Sequence, residues 1–350
     1  MIKFIQTADW HATLKSTYGE QRFECIDKAT DRMAEMLSQK SVSFIVLLGD
    51  IFDNVNPTEE ERLFVSKQVK KLAKAGKVYW ILGNHDKNEL FSAVGSTKVL
   101  MNEGNLRIII KPTIIKIKGI KFGFLSHRKD IPKIISEFNR SKVDVLFSHF
   151  SIIGGSVSTS NFKLKRWVDP KLLSRFLYVG LGDLHVRQNN GRIHYSGSPV
   201  KVNFGERNDV KGFLLVKLNK EKRSAKIDFI ESPDLKMYQL KLSKGKLLDY
   251  NNLKAFKDFK DAILKIRYFH KDRGIVTLFK EKALTSDARA VTLELIRVKE
   301  KGKKAKKIDY TLPFGKILKR YLKQDKNVKK LRRKRIFTYT MKVAKESGIF

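Results

Sequence analysis

The chain has 350 residues and is 42% hydrophobic, enough for one large domain with smaller additions and a full core; wholesale disorder is excluded. Its formal net charge of +37 and pI near 10.1 point to a polyanionic partner, nucleic acid first. A single cysteine excludes an internal disulfide, and no apolar run approaches the roughly 20 residues of a membrane span, so a soluble protein of the reducing cytoplasm is expected.

In chain order, residues 1–232 alternate strand and helix signals. Strands are expected at Ile2–Gln6, Phe44–Leu48, Val78–Leu82, Leu106–Ile110, Ile114–Lys118, Lys121–Leu125, Val143–Phe147, Phe176–Leu181, Ile193–Tyr195, Gly212–Leu218 and Ala225–Ile230. Several are unbroken apolar runs, as in sheets covered on both faces. Helices are expected over 20–40, 58–75 and 130–139. The second opens with Thr58 and Glu61, a capping box behind Pro57. Cys25 lies among apolar residues at helical spacing and reads as a packed core thiol. The mixture predicts an α/β sandwich with helices outside two mixed sheets.

Beyond Ser232–Pro233 the texture changes to a small α+β unit over 236–300. It has strand candidates Met237–Leu242, Ala262–Tyr268 and Val291–Arg297, and a helical stretch near 275–283. A Lys/Gly linker over 299–307 leads to two helices, 314–324 and 328–346, the second flanked by Lys329, Lys330, Arg332, Arg333, Lys334 and Arg335. From Lys299 to Phe350 there are 19 Lys/Arg against 4 Asp/Glu, a net of +15. Three domains are therefore expected: a large α/β domain 1–232, a small α+β domain 233–300, and a basic linker and helical tail 301–350.

Five short motifs each follow an apolar run: Asp9-x-His11, Gly49-Asp50-Ile51-Phe52-Asp53, Gly83-Asn84-His85-Asp86, Ser148-His149 and Gly182-Asp183-Leu184-His185. Carboxylate, amide and imidazole groups converging from separate strand ends suit a centre of two divalent ions roughly 3.5–4 Å apart. Asp9 and His11, read as i and i+2 of an extended segment, would reach one ion. Asp50 would bridge both, Asn84 would supply a carbonyl, and His149 and His185 imidazoles. His85 would assist the leaving group, with Asp86 orienting its ring. His127, after a strand and beside Arg128, is a minor substrate-contact candidate. His194, within a strand, reads as structural, and His270 as a solvated surface residue.

These motifs resemble the calcineurin-like metallophosphoesterases over residues 1–218, which implies their four-layer sandwich. Within that superfamily, Gly49–Asp53 together with Tyr195-Ser196-Gly197-Ser198-Pro199, Phe204-Gly205-Glu206 and Lys211-Gly212-Phe213 look most like the SbcD-like nuclease subunits of DNA repair and recombination. The resemblance implies one metal on Asp9, His11, Asp50 and His185, a second on Asp50, Asn84, His149 and the residue at 183, and His85 as catalytic histidine. The family's last motif is Gly-His-x-His. Asp183 replaces its first histidine, and the added negative charge favours harder ions, Mn²⁺ or Mg²⁺.

The resemblance further implies DNA exonuclease activity on duplex ends, with endonuclease activity on single strands or hairpins, a homodimer, and a coiled-coil ABC ATPase partner of the SbcC type. It makes 1–232 the nuclease domain, 233–300 a capping or DNA-binding domain and 301–350 a tail that binds DNA or the partner. The chain has no Gly-x-x-x-x-Gly-Lys-Ser/Thr of its own. Two other readings use the same motifs: a non-catalytic DNA-binding scaffold, and a phosphomonoesterase such as a protein phosphatase.

Overall fold

The computed structural model describes residues 1–39, 41–86, 104–156, 168–244, 246–248, 259–296, 314–324 and 330–346. The chain divides into two compact units, Met1–Ile296 and Arg297–Phe350.

The first unit is built on two six-stranded sheets. In the first sheet the strand order is β12 (Ser224–Glu231), β11 (Gly212–Asn219), β1 (Ile2–Thr7), β2 (Phe44–Leu48), β3 (Val78–Ile81) and β4 (Leu106–Ile109). Strands β1 to β4 run parallel and β11 and β12 antiparallel. The second sheet is ordered β5 (Thr113–Ile117), β6 (Ile120–Leu125), β7 (Val145–His149), β8 (Tyr178–Gly182), β10 (Ile193–Tyr195) and β9 (Gln188–Asn190), with β6, β7, β8 and β10 parallel.

Between the sheets lies an aromatic core: Phe4 stacks on Phe44 and meets Phe122, Phe147 and Tyr178 edge to face. The other face of the first sheet is covered by α1 (Gly19–Ser38) and α2 (Glu59–Ala75), and that of the second by α3 (Ile131–Arg140). The result is the expected four-layer α/β sandwich. Strands β2, β3, β7 and β8 are buried along their whole length because helices shield their outer faces.

Local signals account for several elements. Thr58 Oγ1 accepts from Glu61 N while the Glu61 carboxylate accepts from Thr58 N, the expected capping box. Cys25 is buried on the inner face of α1, and burial pushes its thiol up to about 11, so it is an inert core group. The second sheet's strands start later than their apolar runs do. Val143 N donates to Phe138 O to close α3, and Leu177 N donates to Asp144 O, so β7 begins at Val145 and β8 at Tyr178.

A third sheet, ordered β14 (Lys246–Leu248), β13 (Lys236–Ser243), β15 (Ala262–Tyr268) and β16 (Ala290–Leu295), carries α4 (Arg273–Thr285) on one face. Its other face sends Met237, Ile263 and Ala290 into the core beneath α1, beside an Arg289–Glu24 ion pair and a Thr17–Thr292 hydrogen bond. The second unit contains α5 (Phe314–Gln324) and α6 (Lys330–Glu346), with Lys319 Nζ 5.3 Å from the Phe337 ring centroid. The linker expected over 299–307 lies outside the described residues. Among the described residues no helix is long and apolar enough to cross a membrane.

Candidate metal centre

The five motifs meet where β1, β2, β3, β7 and β8 end. After β1 and β2 the two chains run on side by side: Asp9 N donates to Gly49 O, His11 N to Asp50 O and Ala12 N to Ile51 O. Asp9, His11 and Asp50 all take left-handed backbone angles, with φ of 56°, 44° and 51°. The expected extended Asp9–His11 segment is therefore corrected. The two side chains converge because the backbone coils, and buried neighbours hold it there. Arg22, 1% exposed on the inner face of α1, donates to the carbonyls of Trp10, His11 and Lys201. Glu61 Oε1 accepts from Thr13 Oγ1 and Leu14 N, so the capping box also anchors this loop.

Among the described residues, three overlapping groups bring their ligand atoms within 4.8 Å of one another: Asp9, His11 and His185; His11, Asp50 and His85; and Asp9, Asp50 and His149. Asp50 is central, its Oδ2 3.3 Å from His149 Nε2, 3.7 Å from His11 Nε2 and 4.0 Å from His85 Nε2. Asp183, at φ 95°, places Oδ1 3.8 Å from His149 Nε2. Its Oδ2 accepts from Ser151 Oγ, and its N–H donates to Asp9. Asn84 is exposed on the turn after β3, next to His85.

Hydrogen bonds fix which nitrogen each imidazole offers. A carbonyl oxygen only accepts, so His149 Nδ1 donates to Leu48 O (2.6 Å) and His85 Nδ1 to Asp53 O (2.5 Å). His185 Nδ1 meets the Glu206 carboxylate at 2.8 Å. In each ring Nε2 is left toward the site, the arrangement of a histidine prepared for a ligand. His149 Nε2 and both His11 nitrogens are buried without hydrogen-bond partners, although His11 Nδ1 lies 3.2 Å from Asp53 Oδ1. Orphaned nitrogens of this kind are costly unless something else satisfies them, and a divalent cation fits both them and the carboxylates.

The charges agree. Burial, with Asp50 nearby, pushes the Asp9 carboxyl up to about 7. Burial alone would lower His149, but Asp50, Asp9 and Asp183 outweigh it and hold its ring well above the ordinary range. Burial would likewise raise Asp50, but His149 and His11 keep it low. A buried Asp9 that keeps a proton up to near pH 7, beside a His149 held in its charged form, marks a place where a cation can take the protons' place.

Asp86 needs correcting. Its carboxylate accepts from the backbone N–H groups of Ile51, Phe52 and Gly83, so it braces two loops and does not touch the His85 ring. The ring is oriented by the Asp53 carbonyl. His127 sits beside the site, its Nδ1 3.2 Å from His149 O, whereas Arg128 is paired in bidentate fashion with Asp130. Arg332, Lys334 and Arg335 are exposed on α6 and Arg333 is half-buried, all in the second unit; Lys330 opens that helix and Lys329 lies outside the described residues. His194 stacks on Tyr178, and burial lowers it to about 4, a structural role as expected; His270 is exposed. Sequence reasoning gave no role to Glu206, Lys211, Arg22 or Ser151. Glu206 and Lys211 stood only as part of a family signature. The hint for Arg22 was an arginine on an otherwise apolar helix face.

Residues 2–212 match the calcineurin-like phosphoesterase family. The matched span takes in all five motifs and ends at Gly212, the first residue of β11.

Proposed function

The chain belongs to the calcineurin-like phosphoesterases, a family of metal-dependent hydrolases, and from that premise we propose that it is a DNA nuclease subunit of the SbcD type. The observation that carries the choice of substrate is charge: a hydrolase with an acidic, cation-attracting centre sits in a chain of net charge +37, as a polyanionic substrate requires. The segment Tyr195–Phe213, which resembles SbcD-like chains, supports the same reading.

In this reading Asp9, His11, Asp50 and His185 hold one ion and Asp50, Asn84, His149 and Asp183 the other, Mn²⁺ or Mg²⁺. Such ions supply an activated water for attack on phosphorus and neutralise the phosphate oxygens. His85, with Nδ1 tied to Asp53 O, turns Nε2 to the substrate and, from its doubly protonated form, would give the Nε2 proton to the leaving oxygen and be left neutral. Asp86 holds the loops that carry Asp50 and His85 at fixed spacing. Residues 233–300 serve as cap, and the basic tail 301–350 engages DNA or the coiled-coil ATPase. The protein acts as a homodimer in the cytoplasm.

The test is cleavage of end-labelled duplex and single-stranded DNA with Mn²⁺, Mg²⁺ or EDTA, beside a small phosphomonoester. Metal-dependent DNA cleavage that falls about 10²–10⁴-fold in His85→Ala is expected. Hydrolysis of the monoester alone would replace this reading with a phosphatase. Salt-sensitive DNA binding with no cleavage, even with an ATPase partner added, would replace it with a scaffold.

A further inference from the structure

Two imidazoles of the centre, His149 and His185, are held by different means. His149 Nδ1 is tied to Leu48 O, a main-chain carbonyl at the end of a central strand. Its orientation is as rigid as the sheets. His185 follows β8 and has no such tether. Its Nδ1 meets Glu206 Oε1 at 2.8 Å, from the short 3-10 turn Phe204–Glu206, outside both sheets.

Glu206 is in turn fixed on its other oxygen. Oε2 accepts from Val202 N at 2.9 Å and lies 2.8 Å from Lys211 Nζ. That same ammonium donates to His185 O at 2.9 Å and sits 3.3 Å from Asp209 Oδ2. The Glu206 and Lys211 side chains are 6% and 1% exposed. One buried ion pair therefore grips both the ring and the carbonyl of His185. A buried ion pair is seldom the most stabilising way to fill a core, so its value here lies in position.

We propose that Glu206 and Lys211 form a clamp that positions His185 and so sets the affinity of one metal position, that of Asp9, His11 and His185, and not the other. The inference rests on the metal-centre part of the reading above and is independent of whether DNA is the substrate. A carboxylate that accepts from Nδ1–H fixes the ring plane and makes Nε2 more electron-rich. The pull reaches only the position that His185 serves. The His149 side depends instead on Leu48 O and on Ser151 Oγ, which donates to Asp183. Glu206 and Lys211 are positioning residues, since they act on the metal through His185.

The test is calorimetric titration of the metal-stripped full chain with Mn²⁺. Wild-type protein should show two binding events, and His185→Ala should identify which belongs to the His185 position. Glu206→Ala should weaken that same event about 10- to 100-fold, the usual size of an outer-sphere effect, and leave the other unchanged. Glu206→Gln, which retains an acceptor for Nδ1–H, should recover part of the loss. It also carries the test where thermal unfolding shows that Glu206→Ala does not fold. Equal weakening of both events, or no change in either, would overturn the clamp. Wild-type protein that takes up no Mn²⁺ would overturn the metal centre and the clamp with it. DNA left uncut by protein that passes the titration would count against the nuclease alone.

Discussion

Ten described non-glycine residues have positive φ, and they fall into two groups. Lys118, Lys142, Arg223, Lys244, Asp261 and Asp287 are exposed in turns between elements. Asp9, His11, Asp50 and Asp183 lie in the candidate metal centre, the first three buried. A left-handed backbone costs most residues roughly 1–2 kcal/mol, and Asp and Asn less. In a turn the cost reverses the chain. At the strand ends it does something the turns do not need, aiming carboxylates and an imidazole into one space. Strain gathered at buried residues that also carry charge marks a site shaped for a ligand at the expense of stability.

The largest test of that contrast is Asp50→Asn. Asparagine tolerates left-handed backbone and keeps the volume, so the fold survives, while the carboxylate shared by three histidines loses its charge. Removing an outer-sphere partner already costs 10–100-fold, so loss of this central group should cost phosphodiesterase activity more than about 100-fold. Metal-stripped Asp50→Asn should unfold at a lower urea concentration than metal-stripped wild type, because His149 and His11 hold the Asp50 carboxyl low and its charge therefore stabilises the metal-free fold. A variant that keeps its activity would remove Asp50 from the centre.

Next in size is a pair of glycines with nearly the same φ. A Cβ on Gly49 (φ 82°) would meet Gly83 N and His149 Nδ1 at 2.6 Å, whereas one on Gly119 (φ 79°) meets nothing within 4 Å. Gly119→Ala should cost only the backbone term, about 1–2 kcal/mol, and Gly49→Ala about 2–5 kcal/mol once overpacking of about 1–3 is added. Urea unfolding of the two variants checks this. Equal losses would mean that close packing around the centre contributes nothing.

Much of the fold was legible because β2, β3, β7 and β8 are short, mostly apolar runs buried on both faces. Phe44–Leu48 shows this most plainly, with five apolar residues in a row. Strands β9 and β14 were missed: Gln188–Asn190 is polar and lies at a sheet edge, and Lys246–Leu248 is a three-residue edge strand. The ligand types were legible as well, since Asp and His after buried strands have few structural uses. Their aim was not legible, because Asp9 and Asp50 adopt left-handed angles that tertiary contacts impose. The role of Asp86 was misread because its partners, Ile51 and Phe52, lie 34–35 residues away. Glu206 went unassigned for the same reason, being 21 residues from His185.

Removing metal should expose the electrostatic side of the contrast. With free Mn²⁺ at about 100 times its dissociation constant, one site stabilises the fold by about 2.7 kcal/mol, which EDTA should abolish. The metal-free protein should then depend on pH in a definite direction. Burial raises Asp9 from 3.8 to about 7, so the folded state binds a proton that the unfolded chain does not. That contribution is full only below about pH 4, falls as pH rises between the two values and is gone above about 7. His149, raised well above its ordinary value by the same carboxylates, acts in the same sense. Chelated protein should therefore lose stability between pH 6 and pH 8, and loaded protein should not. Parallel pH profiles with and without Mn²⁺ would show that no cation replaces these protons.

The smallest test belongs to the turns. Lys118 sits at φ 46° in the β5–β6 hairpin beside Gly119, exposed and with the neighbouring position open. Lys118→Gly relieves the left-handed penalty of about 1–2 kcal/mol but gives the unfolded chain more freedom, an opposing cost of about 0.4–1 kcal/mol. A net gain of a few tenths to about 1 kcal/mol is expected in urea unfolding, with metal binding and hydrolysis unchanged. Asp50→Gly relieves the same backbone angle but also removes the buried carboxylate that pairs with His149 and accepts from His85 N, so its metal-stripped form should lose stability, and it should lose the activity. The two variants share a backbone change and differ in whether a ligand carboxylate goes with it. If Lys118→Gly were to impair hydrolysis as Asp50→Gly should, strain at φ > 0 would not separate the site from the turns.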